Sequence, residues 1–327
     1  MDYAMIVSCK GSEILKTIDI GALCYRVRKR RDISQEKLIY GICKQSAYSK
    51  FEKNEIALSK DMTERLLKRL GLSSSNFLFL ISQKDHEYQE WKKHILKLIN
   101  DKDYDKALEA LESREEKEND LQHQFHLFIL GYLTNDLNMI QQALLITLPK
   151  LNHIYLPEMA LSADEMKMLL YYWRKEGRLL QNTNVIKNCM EYTDLYYADE
   201  EKAKLFSYEL DIMKQIIMDE KDQLLYRYFS MKRDALFHQY HFHHDALSFE
   251  IANNSMPLHT YLYNKRIEKN MTQEEISENI CSVVTYSRFE SGKQEMNSNS
   301  IKQLFHKLNL EYGYVLCDDH WQIDDVL

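Results

Sequence analysis

The chain has 327 residues, 28% of them charged, with a net charge of −7 and only 8 Gly and 3 Pro. This composition disfavours sheets joined by tight turns and favours helices joined by short polar loops, over a length that allows two or three domains. No run of about 18 apolar residues occurs, and residues 1–19 lack a charged start followed by a long apolar stretch, so the expectation is a cytoplasmic chain without a membrane span or signal peptide.

Residues 1–19 read as an N-terminal extension, and residues 20–72 parse into four helices. Asp19 caps the first, which carries Leu23, Val27 and the basic run Arg28-Lys29-Arg30-Arg31. Ser34 caps the second, with Leu38 and Ile42 facing inward. The third runs from Gln45 to Lys53, and the fourth from Lys60 to Leu70, stopped by Gly71. Residues 73–84 read as a linker, although Phe77 to Ile81 are apolar enough to dock on something.

Residues 85–255 look helical almost throughout, with Trp91, Ile95 and Leu98, then Phe125, Ile129 and Tyr132, at i, i+4, i+7. Polar turns at Asp103-Tyr104-Asp105 and Asn135-Asp136-Leu137-Asn138 recur near the roughly 34-residue period of tetratricopeptide repeats. The expectation is a TPR-like α-solenoid of helix pairs, with a break between Pro149 and Pro157. Asn253 to Pro257 mark a second boundary, residues 258–316 a second four-helix unit, and 317–327 an acidic tail. The fold class expected is all-α.

The two four-helix units share a pattern. Ser34-Gln35-Glu36-Lys37-Leu38 followed by Ser49-Lys50-Phe51-Glu52 recurs as Thr272-Gln273-Glu274-Glu275-Ile276 followed by Ser287-Arg288-Phe289-Glu290, both parts at an offset of 238. Charge separates the copies. Residues 20–72 carry 13 Lys/Arg against 6 Asp/Glu, a net +7, whereas 258–310 carry 7 against 6, a net +1, leaving −15 elsewhere. A basic head on an acidic body is the asymmetry expected when one module meets phosphates.

The repeated pattern resembles the lambda/434-repressor type of helix-turn-helix, the XRE family, well over 20–72 and moderately over 258–310. The resemblance implies a buried structural ion pair in each copy, Arg28 with Glu52 and Arg266 with Glu290, and a third helix whose first turn enters the major groove of double-stranded DNA. In the first copy the exposed positions are Lys44, Gln45, Ser46 and Lys50, with Gln35 placed to donate to a phosphate and Tyr48 turned into the core. Gln45 suits an adenine edge, and Lys50 a guanine or a phosphate. The second copy has Ser282, Val283, Val284 and Arg288 there. Valine can only touch a thymine methyl, so this copy reads foremost as a dimerisation or docking module, with Ser282 and Arg288 as a possible second, weaker DNA contact.

A basic helix-turn-helix followed by helical repeats resembles in architecture the peptide-pheromone regulators of Gram-positive bacteria (the Rgg/PlcR/PrgX, or RRNPP, group). This likeness implies a homodimer whose repeats bind a short peptide. Tyr171, Arg174, Asn184, Asn188 and Tyr192 are candidates for gripping it, since amides bond both peptide groups and Tyr and Arg hold side chains or a carboxylate; surface polar residues and core tyrosines are the plainer alternative. The cluster His238, His241, His243, His244 and Asp245 reads as a solvated face without a metal. The six Cys form no CxxC pair and read as free thiols. No phosphate loop or nucleophile motif appears, so neither an enzyme nor a cofactor is expected. The function expected is a sequence-specific transcriptional regulator involved in quorum sensing. The alternatives are a protein-interaction adaptor silent on DNA and a phage-type repressor without a small ligand.

Overall fold

Side-chain caps set where the helices begin. In the computed structural model, which describes residues 5–6, 16–74, 77–114, 120–148, 151, 156–181, 183–216, 220–240, 254–310 and 314–317, Asp19 accepts a hydrogen bond from the Ala22 amide and Ser34 one from the Lys37 amide. Each satisfies a donor that a first helical turn leaves open. Strands β1 (Met5–Ile6) and β2 (Lys16–Asp19) precede the first unit, α1 (Ile20–Arg30), α2 (Gln35–Ile39), α3 (Gln45–Glu52) and α4 (Lys60–Arg69). Next come β3 (Phe79–Ile81) and the middle helices α5 (Gln83–Asn100), α6 (Tyr104–Glu112), α7 (Asp120–Thr134), α8 (Leu137–Thr147), α9 (Ala163–Glu176), α10 (Arg178–Gln181), α11 (Thr183–Tyr196), α12 (Asp199–Ile216) and α13 (Glu220–Tyr240). Strand β4 (Ser255–Pro257) leads into the second unit, α14 (Leu258–Glu268), α15 (Gln273–Ser277), α16 (Val283–Glu290) and α17 (Ser298–Lys307), followed by β5 (Tyr314–Cys317). The chain is mostly helical, as its composition implies.

The two units are copies down to the backbone. The left-handed residues Asp32, Gly41, Asn54 and Gly71 of the first recur 238 positions later as Asn270, Asn279, Gly292 and Asn309. Gly, Asn and Asp reach that conformation at least cost.

Within the expected linker 73–84, the run Phe77 to Ile81 does not stay free, and the reason is its apolarity. Phe77 to Ile81 are all buried. Strand β3 pairs parallel with β4 and antiparallel with β1. Successive side chains of a strand point to opposite faces. Accordingly Phe77, Phe79 and Ile81 join the core of the first unit, while Leu78 and Leu80 join the core of the second. The five-residue apolar run is the signature of a strand buried on both sides. Asn254 ties the junction: its carbonyl accepts from the Phe79 amide, and its Nδ2 donates to Glu64 and to the Ser74 carbonyl. The ends of the chain are paired as well, β2 running antiparallel to β5 from Lys16 opposite Cys317 to Asp19 opposite Tyr314. Part of the expected extension and the first residue of the expected tail therefore belong to strands that bind the two units together.

The middle helices pack in two layers. Ring contacts run from α5 through α7 to α9, with Trp91 on Phe125 and both Phe128 and Tyr132 on Tyr171, and Arg174–Asp211 continues that layer to α12. Ion pairs Lys187–Asp222 and Lys232–Asp194 join α11 to α13 in the other layer. Between them Glu209 is fully buried, accepting from Thr193 at 2.8 Å, and burial pushes its carboxyl up to about 8. Above the ordinary carboxylate pKa the unfolded chain ionises while the folded chain does not, so this group opposes folding increasingly from about pH 4.5 to 8. Glu209→Gln is expected to raise the unfolding free energy at pH 7 by roughly 3 kcal/mol, a gain that vanishes near pH 4 in denaturant titrations.

The first unit is bolted to these helices through Arg69, which is 3% exposed. Its guanidinium donates to Glu165 at 2.6 and 3.0 Å, to the Leu38 and Tyr40 carbonyls of α2 and its C-cap, and to the Thr147 carbonyl of α8. Glu165 sits in the capping box that opens α9. At a second point Gly71 approaches so closely that a Cβ there would lie 2.0 Å from the Tyr196 carbonyl oxygen, and the Ala198 amide donates to the Gly71 carbonyl.

Candidate nucleic-acid interface

An ion pair fixes the third helix of each unit against the first. Arg28 donates from Nε to Glu52 at 2.8 Å and from Nη2 at 3.1 Å, and Arg266 meets Glu290 at 2.7 and 3.1 Å. A third donor closes the turn after the first helix, Arg28 to the Ile33 carbonyl and Arg266 to that of Met271. Bidentate, largely buried pairs of this kind set orientation. Burial would raise the Glu290 carboxyl, but hydrogen bonds from Arg266, Gln273 and Tyr286 hold it below the usual range.

The glutamine that opens the second helix is part of this brace. Gln35 Nε2 donates to Glu52 at 2.6 Å and Gln273 Nε2 to Glu290 at 2.6 Å. One N–H of Gln35, expected to face a phosphate, is thus committed inside the unit, and its Oε1 accepts from Ser49 at 3.2 Å and Gln45 at 3.5 Å. Tyr48 is fully buried, as its position in the pattern implies.

Conserving the brace, the two units diverge at its outer edge. In the first, Lys44, Gln45, Ser46 and Lys50 are exposed, and an open cleft of about 820 Å³ runs between α1, α2 and α3. Tyr25, Lys29 and Lys53 line it beside Gln35 and Gln45. These three lie outside the short pattern, and only folding brings α1 and the end of α3 beside it. No side chain caps the N-terminus of α3, so its amides, flanked by Lys44, suit an anion. In the second unit the equivalents of Lys29, Gln45, Ser46 and Lys53 are Ile267, Val283, Val284 and Ser291. Tyr263, Ile267 and Val284 are 44%, 49% and 63% exposed. Ser282 is turned to capping, accepting from the Thr285 amide at 3.1 Å and sharing a hydrogen bond with the Thr285 hydroxyl. Arg288 remains exposed.

Residues 262–315 match the model of the Helix-turn-helix family. The match spans nearly all of the second unit and supports a chain of the DNA-binding, transcription-regulating kind. No curated protein and no solved structure shows a significant match to the chain. No helix among the described residues is long and apolar enough to cross a membrane.

The five residues considered for peptide binding do not converge. Tyr171 and Arg174 lie in the α5–α7–α9–α12 layer, Arg174 pairing with Asp211 at 3.3 Å. Asn184 and Asn188 lie in the other layer, exposed on the face of α11 that also presents Glu191 and Leu195. Tyr192 is buried, its hydroxyl donating to the Met159 carbonyl and accepting from the Leu161 amide. Its ring belongs to the core because both hydroxyl functions are satisfied there. Of the histidine cluster, His238 is exposed in the last turn of α13, and His241, His243, His244 and Asp245 lie outside the described residues. Cys24 and Cys189 are buried, and Cys43 and Cys281 half-buried, as free thiols; Cys9 lies outside the described residues, and Cys317 falls in β5.

Proposed function

We propose that the chain is a sequence-specific regulator whose N-terminal unit is the base-reading helix-turn-helix, while the C-terminal unit serves chiefly as its docked companion. The observation that carries this reading is the contrast at the start of the third helix: exposed Lys44, Gln45 and Lys50 around an uncapped α3, against self-capped Ser282 and two valines on α16. Four lysines, Lys29, Lys44, Lys50 and Lys53, mark the N-terminal edge, where the other unit keeps one cation, Arg288. The docking role is met inside the chain, since Leu78 and Leu80 of β3 lie in the core of the second unit.

The middle helices are a TPR-like array that senses a short peptide or partner protein. Tyr132, Tyr171 and Arg174 supply aromatic faces and a cation in one layer. Helix α9 carries Arg174 near its C-terminus and Glu165, the partner of Arg69, in its first turn. A ligand drawn to Arg174 acts on the helix that holds the reading unit. Two copies of the cytoplasmic chain present two reading helices about 34 Å apart, or a multiple of it, to a palindromic site.

The test is DNA binding of the full chain against salt. Four phosphate contacts give a slope of log K on log salt near −3.6, and Lys29→Ala is expected to lessen it by about 1. A flat salt dependence would reject the reading in favour of an adaptor. Equal losses from Arg288→Ala and Lys50→Ala would mean that both units read DNA alike.

A further inference from the structure

Helix α13 presents an apolar stripe to solvent. Leu224, Tyr228 and Met231 are 64%, 51% and 74% exposed, and Ala235 continues their i, i+4, i+7, i+11 spacing. Phe229, turned away from the stripe, is buried on Phe206, and Lys232, which flanks the stripe with its Nζ 4.8 Å from the Tyr228 ring centre, pairs with Asp194 of α11. Next to Asp194, Leu195 is 73% exposed. Scattered exposed leucines need no explanation, but a seam of this spacing on one helix does.

We propose that this face is where two copies of the chain meet, their α13 helices packed antiparallel about a twofold axis. The proposal rests on the dimer in the reading above and supplies its interface. Two features of the stripe select a second copy and its direction. First, the stripe is self-complementary: a twofold midway between Ser230 and Phe229 sets Tyr228 against Met231 of the other copy and Leu224 against its Ala235. Second, the flanking charges fit one orientation. Arg227 and Asp234, both exposed, occupy successive positions just before the stripe residues Tyr228 and Ala235. In an antiparallel pair such positions face each other, so Arg227 meets the other copy's Asp234 twice. In a parallel pair Arg227 would face the other copy's Lys232, like against like. The apolar stripe supplies affinity, and the charges choose direction, because exposed ion pairs contribute little by themselves. In the single chain Asp234 is held only at the surface by its neighbour Arg233 at 2.7 Å, a contact that the interface can exchange.

The charges give the test. Arg227→Asp places two aspartates together at each end of the seam, and Asp234→Arg places two arginines there. Each variant alone is expected to weaken self-association at least tenfold in sedimentation equilibrium, with unchanged circular dichroism. Mixed in equal amounts, they restore opposite charges at both ends and are expected to form heterodimers of wild-type affinity. Met231→Glu is expected to abolish association. A wild-type chain that stays monomeric at micromolar concentration overturns both the seam and the dimer. A wild-type dimer untouched by the two reversals, or a mixture that does not recover, overturns the seam alone and leaves DNA reading standing.

Discussion

Arg69→Ala is expected to lower the unfolding free energy by about 3–5 kcal/mol, the cost of leaving one member of a buried ion pair behind. Glu165 has no exposed surface and would retain only Arg65 as a cation, at 3.1 Å. Three backbone carbonyls, those of Leu38, Tyr40 and Thr147, would lose the donor that reaches them from α4. The loss falls on the junction between the first unit and the middle helices, so proteolysis should cut near residues 71–74 faster than elsewhere. The effect depends on pH. Burial would raise the Glu165 carboxyl, but the charges of Arg69 and Arg65 hold it down at about 2, against 4.5 for an ordinary glutamate. A depressed carboxylate stabilises fully above its unfolded pKa and progressively less as pH falls toward the folded one. The penalty of Arg69→Ala is therefore expected to be complete at pH 7 and to shrink between about pH 4.5 and 2, as read from denaturant midpoints. A cycle with Glu165→Gln separates this coupling from lost packing. An undiminished penalty at pH 3 would assign the stabilisation to packing instead.

Gln45→Ala is expected to cost about 1–3 kcal/mol on the preferred site, or roughly 5- to 150-fold in affinity, and almost nothing on random DNA. The amide is exposed, and Gln35, the side chain within reach, contacts it only weakly at 3.5 Å. A groove-facing base can exchange that contact for two good bonds. Lys50→Ala, if Lys50 meets phosphate, weakens all sequences alike. Val283→Ala in the second unit is expected to change neither. Competition binding with the selected site and with random duplex at fixed salt distinguishes the three outcomes.

Much of this was legible before folding. The offset of 238 marked the two four-helix units, polar residues marked the caps at Asp19 and Ser34, and the resemblance to the XRE-type helix-turn-helix implied the pairs Arg28–Glu52 and Arg266–Glu290 and the inward Tyr48. The helices and caps are local consequences of spacing, whereas the pairs join helices 24 positions apart and were implied by the resemblance alone. Strand β3 was legible only as an apolar run, because its partners lie at residues 5–6 and 255–257, and pairing across such separations leaves no periodicity. The bolt at Arg69 was hidden for a related reason. Its partner Glu165 lies 96 positions away, in the first turn of α9, and no spacing within α4 points to it. Polarity likewise made Asn184 and Tyr192 candidates for one peptide site. Which layer each enters depends on how α9, α11 and α12 stack, and helical spacing within one element does not record that.

The most direct measurement is photocrosslinking of the full chain to a DNA site selected from random sequence, with a photoreactive residue placed at position 45 or, separately, at position 283. The account predicts efficient crosslinks from position 45 to bases in the major groove and few or none from position 283. Crosslinks from position 283 alone, or none from position 45, would contradict it.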